Sequence, residues 1–120
     1  MGLDMSIYGK TELGEEVELV YWRKANQIRN WFVRNLDCVD NNENVPLTKS
    51  VLESLLSDIE KVLANPSLAE SILPTQSGFF FGSTDYDEWY LMQLEHSISQ
   101  LREAIISFDG YSEVYYYESW

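Results

Sequence analysis

Residues 112–120 read SEVYYYESW, and this stretch decides the fold class. β-branched and aromatic residues dominate it, as they do in a half-buried strand. Neighbouring side chains on a strand point to opposite faces, so Tyr115, Tyr116 and Tyr117 must turn at least one ring away from the core. The other end carries the same period: Leu3, Met5 and Ile7 alternate with Asp4, Ser6 and Tyr8. Residues 9–16 are polar, contain two glycines and read as a turn or loop. Beyond it, Glu16–Val20 either extends as a second strand or leads into a helix. Strands at both termini with helices between them predict one α+β domain over residues 1–120, with three main helices and a small sheet involving both termini. A helical bundle with extended tails is the rival architecture.

Between the ends the period changes to that of a helix. Tyr21, Ala25, Ile28, Phe32 and Leu36 recur three or four apart, widened by Trp22 and Trp31, and predict a helix over Val20–Leu36. The stretch DCVDNNENV, residues 37–45, reads as a loop that Pro46 closes. Thr48 caps the next predicted helix, Lys49–Ala64, whose stripe is Val51, Leu52, Leu55, Leu56, Ile59, Val62 and Leu63. Asn65-Pro66 ends it, because the residue before proline is pushed out of helical geometry. A short helix near Leu68–Leu73 precedes PTQSGFFFGST, where three phenylalanines between glycines suggest a short buried strand or a pinned loop. Thr84 with Asp87 is a capping pair for a third helix, Asp85–Phe108, with Leu91, Leu94, Ile98, Leu101, Ile105 and Phe108 as its apolar stripe and Gly110 as its stop.

Composition restricts function. The 120 residues carry 8 Lys+Arg against 20 Asp+Glu, a net charge of −12. That sign is wrong for a general nucleic-acid binder, so no direct nucleic-acid contact is expected. Cys38 is the single cysteine, which excludes an intramolecular disulfide and a thiolate zinc cluster and favours a reducing, cytoplasmic setting. No apolar run approaches the ~20 residues that cross a bilayer, and residues 1–10 lack the basic and apolar regions of a signal peptide, so no membrane contact is expected. Asp40, Asn42 and Asn44 alternate like calcium ligands, but Val45 and Val51 stand where such a loop needs glycine and glutamate. Asp85, Asp87 and Glu88 suit a helix amino terminus better than a cation. The run SGFFFGST precedes a helix without the lysine of a phosphate loop. No metal, cofactor or catalytic residue is therefore expected. His96 is the lone histidine and sits at the edge of the apolar stripe.

The charge is uneven. Arg23, Lys24, Arg29 and Arg34 crowd the first predicted helix, whereas acids gather toward both ends. One reading is a solvated surface in which the basic helix packs near acidic elements of its own fold. The other is an acidic face for a basic partner, built from Glu88, Glu95 and Glu103 with exposed rings at Tyr115, Tyr117 and Trp120. A homodimer, the basic helix of one copy meeting the acidic face of another, is a third.

The opening MGLDM, the segment YWRKANQIRNWF, the block LPTQSGFFFGSTDYDEWY and the aromatic end resemble a family of small acidic phage and prophage proteins of unassigned function. The resemblance implies a bacterial host cell and an accessory role, such as blocking a host defence enzyme in the way some anti-CRISPR proteins occupy nucleic-acid clefts. The expected function is binding and inhibition of a basic, nucleic-acid-binding host protein, with no chemistry of its own. Within the shared block, Gln76, Ser77, Asp85 and Asp87 are polar groups among aromatics, while Asn30 and Trp31 lie on the first helix. If these converge with His96, they form a pocket with an aromatic floor and polar rim. The alternative function is thus a protein binding a small polar ligand or nucleotide, or a hydrolase, centred on Asn30, Gln76, Ser77 and Asp85.

Overall fold

A computed structural model of the chain describes residues 2–36, 39, 42–78 and 82–120. The two ends do pair. Strand β1 (Asp4–Lys10) runs antiparallel to β4 (Glu113–Ser119), with Ile7 opposite Tyr116. On its other side β1 forms a hairpin with β2 (Glu16–Arg23), and a two-residue strand β3 (Val45–Pro46) closes the order β2-β1-β4-β3. The main helices are α1 (Asn26–Asn35), α2 (Lys49–Ala64) and α4 (Glu88–Ser107); the four-residue α3 (Ala69–Ile72) is minor. The α+β class and the sheet joining both termini stand as expected. No helix among the described residues is long and apolar enough to cross a membrane.

Helix α2 starts and stops where its signals place it. The Thr48 hydroxyl accepts the Val51 N–H at 3.3 Å, and Asn65 ends the helix before Pro66. The first helix is shorter than expected, because β2 continues to Arg23. Val17, Val20, Tyr21 and Trp22 are strand formers, and hairpin pairing with β1 overrides the helical spacing that Tyr21 shares with Ala25. Lys24 then takes a left-handed conformation (φ 55°), which separates strand from helix. The third helix also begins later than Asp85: the Asp87 carboxylate accepts the Tyr90 N–H at 3.1 Å and is itself the cap. Its buried stripe is Tyr90, Leu94, Ser97, Leu101 and Ala104, while Leu91, Ile98 and Ile105 lie half-buried on the flank. The reason is Ser97, whose hydroxyl accepts the Trp22 indole N–H at 2.7 Å in the core, so a polar residue holds the centre of the stripe.

Val45–Pro46 pairs with Tyr116 and Tyr115 inside what the sequence reads as a loop; two residues are too few to show a period. Cys38, Asp40 and the three phenylalanines at 79–81 lie outside the described residues.

The helices share one face of the sheet. Met5, Ile7, Trp22 and Tyr116 meet Ile28 and Phe32 of α1 and Leu94 of α4, and Phe32 stacks on Tyr116 at 4.2 Å between centroids. The exposed edge of β2 is covered from α4. Gln100 accepts the Tyr21 N–H at 3.2 Å and Gln93 donates to the Arg23 carbonyl at 3.2 Å. Two glutamines one heptad apart thus satisfy backbone groups that would otherwise invite another strand.

Candidate functional site

Helix α4 buries one side against the sheet and α2, which leaves the opposite side facing outward. That outward ridge carries Trp89, Met92, His96, Ser99, Glu103 and Ile106, three and four residues apart, and it runs about 25 Å along the helix. Trp89 is 58% exposed, Met92 45% and Ile106 83%. Such large apolar side chains are costly to leave in water, and here they share one line. Glu88, Glu95 and Glu103 lie on or beside it and are exposed, so the acids singled out in the sequence do occupy one surface. Only Arg102 adds a strong positive charge to the helix, and its guanidinium is directed to Glu60 of α2 at 3.7 Å. Sequence reasoning overlooked Trp89, Met92 and Ile106. Their signal was present: they are apolar residues that fall outside the helix's own core stripe.

The aromatic half of the expected surface lies elsewhere. Tyr115 and Tyr117 alternate with the core residues Val114 and Tyr116, so they sit on the helix-free face of the sheet, away from α4. Tyr115 is only 7% exposed, which corrects the expectation of an exposed ring. It stacks on Tyr8 at 5.7 Å, and burial together with the nearby Glu16 carboxylate pushes its phenol up to about 12. Tyr117 is half-buried and donates to Asn42 at 2.9 Å. On the same face Tyr21 donates to Asp4 at 2.6 Å, and Tyr8 and Ser6 both donate to Glu18. The phenols of Tyr21 and Tyr8 are thus engaged by carboxylates of their own fold.

Trp120 is exposed as expected, at 41%, but its indole N–H reaches into a buried polar cluster that the sequence did not announce. The Glu118 carboxylate is fully buried, yet it accepts from the Trp120 indole at 2.6 Å, from the Tyr116 hydroxyl at 2.9 Å and from Arg29 Nε at 3.1 Å. Arg29 also donates to the Gln76 side chain at 2.8 Å. One base of the first helix therefore does pack against an acid of its own fold.

The residues of the candidate pocket are parted by the fold. Asn30 donates to the Pro74 carbonyl at 3.0 Å and Gln76 meets Arg29 and Asn26, so these two amides tie the irregular segment after α3 onto α1. Trp31 turns to α2, where its indole donates to Asp58 at 2.8 Å. Ser77 and Asp85 are exposed, and the Asp85 N–H donates to Ser83 Oγ at 3.1 Å. Asp87 caps α4, and His96 stands on the outward ridge. Asn30 and Gln76 come near one another; the others do not join them.

No protein-family model matches the chain, and no curated protein or solved structure is similar to it. The functional reading therefore rests on geometry and charge.

Proposed function

We propose that this protein acts by binding a basic protein of a bacterial host cell and blocking it, as an accessory protein of the phage type, with the outward ridge of α4 as the contact. One observation carries the reading: Trp89, Met92 and Ile106 stand exposed on the same ridge as Glu88, Glu95 and Glu103. Aromatic and aliphatic anchors ringed by charge are the arrangement in which interfaces concentrate their binding energy. The net charge of −12 steers a basic partner toward it. A partner that normally holds nucleic acid presents the complementary surface, and occupying that surface would block it without chemistry.

The experiment is affinity capture from bacterial lysate with the wild-type chain and with E88Q/E95Q/E103Q. Wild type should retain a basic, nucleic-acid-binding protein, and the purified pair should fail to take up nucleic acid. Capture should weaken as salt rises from about 0.01 M to 0.15 M, over which the screening length falls from about 30 to about 8 Å. The triple variant should associate more slowly while its melting temperature barely moves, since exposed charges contribute little to stability. Trp89→Ala should cost about 2 kcal/mol of binding, roughly thirtyfold. Equal capture by wild type and both variants would exclude the ridge as the contact.

A further inference from the structure

A cleft of about 400 Å³ lies at the far end of the sheet from Ser119, away from the ridge of α4. Phe108, Tyr111, Tyr115 and Leu47 line it together with Lys10, Glu16 and Glu113. The two glutamates occupy the same row of the sheet, one on each side of Lys10.

The walls are held in place. Gly9 has no side chain, and a Cβ there would come within 2.7 Å of the Tyr111 ring, so the ring lies directly on the backbone of β1. Next to it, the Ser112 N–H donates to the Lys10 carbonyl at 2.8 Å, and the Ser112 hydroxyl donates to the same oxygen at 2.9 Å. Tyr115 is held against Tyr8, with ring centroids 5.7 Å apart. The Leu47 N–H donates to the Val114 carbonyl at 2.8 Å. A preformed cleft does not lose binding energy to ordering its own walls. Its volume falls in the range of small-molecule sites.

The chemistry selects the occupant. Aromatic faces attract cations, and a cation inside low-dielectric walls gains from each nearby carboxylate. Two acids against one base leave the lining negative. The chain beside it adds Glu12 and Glu15 on the hairpin and Glu43 next to Asn44. From these observations we infer that the cleft binds a compact organic cation, a guanidinium or alkylammonium group on a short apolar stem, with the head at Glu113 and Glu16 and the stem against the Tyr115 ring on the same face of the sheet. This site is separate from the α4 ridge and does not depend on it.

The test is an NMR titration of the full chain with agmatine, a guanidinium on a butyl amine, against butylurea as an uncharged counterpart. Agmatine should shift the amide resonances of Tyr111, Val114 and Tyr115 saturably, and butylurea should not. Glu113→Gln, at an exposed strand end that tolerates it, should weaken agmatine about tenfold, the loss of one charge-assisted contact. Lys10→Gln should strengthen it severalfold by removing the competing charge. E88Q/E95Q/E103Q should bind agmatine like wild type, which keeps this result independent of partner capture. Equal shifts with butylurea, or unchanged agmatine affinity in Glu113→Gln, would overturn the assignment. With binding established, agmatine displacing the captured partner means that the cation is the partner's own arginine, and undisturbed capture means a free cation.

Discussion

Truncation after Gly110 should leave a chain with no cooperative unfolding transition. β4 is an interior strand, hydrogen-bonded to β1 on one side and β3 on the other. Its loss exposes the inner edge of β1 and removes Val114, Tyr115 and Tyr116 from burial. Each such side chain contributes roughly 1.5–3 kcal/mol. Phe32 would lose its stacking partner and Arg29 its carboxylate. Together these are as large as the margin of about 5–15 kcal/mol that holds an ordinary domain together. Circular dichroism during a thermal ramp checks the expectation. A sharp transition within a few degrees of the full-length chain would show that the sheet does not depend on its last strand.

The second large effect belongs to one carboxylate. Glu118→Ala should destabilise the fold by about 3–5 kcal/mol, because it takes the buried carboxylate away from the Arg29 guanidinium in a nearly closed site. The Arg29 side chain is 12% exposed and Glu118 0%, so water cannot take the place of the lost partner. The indole of Trp120 and the hydroxyl of Tyr116 lose this carboxylate as well. Removing both charges as Arg29→Met with Glu118→Leu should recover much of the loss, since apolar replacements of a buried pair are often neutral or better. Urea denaturation of the wild type, the two single variants and the double variant measures this. A cost below about 1 kcal/mol for Glu118→Ala would mean that the pair is solvated in solution.

The parts of this fold that were legible in the sequence are those fixed by local signals. Thr48, the stripe from Leu52 to Val62 and Asn65-Pro66 define α2 without help from the rest of the chain. The alternation of Leu3, Met5 and Ile7 marks β1, and the aromatic run marks β4. Errors arise where a distant contact decides. Tyr21 and Ala25 share a helical spacing, but β1 draws residues 16–23 into a hairpin. Ser97 is polar, and only the Trp22 indole 75 residues away makes it a core residue. The same holds for the site. Glu88, Glu95 and Glu103 were legible as acids of one predicted helix, and their exposure follows once the buried side of α4 is fixed. Tyr115 looked free because its partners, Tyr8 and Glu16, lie near the opposite end of the chain. Glu118 looked like one more surface acid, and nothing nearby in the chain foretold that Arg29 of α1 would meet it.

The most direct test of the proposed partner-binding face is carboxylate footprinting of the captured complex. Carbodiimide labelling followed by peptide mass spectrometry reports the accessibility of each acid. Modification of Glu88, Glu95 and Glu103 should fall severalfold on complex formation, while Glu12 and Glu15 at the hairpin tip keep their free-chain reactivity. Undiminished labelling along α4, with protection confined to the hairpin or the helix-free face of the sheet, would contradict it.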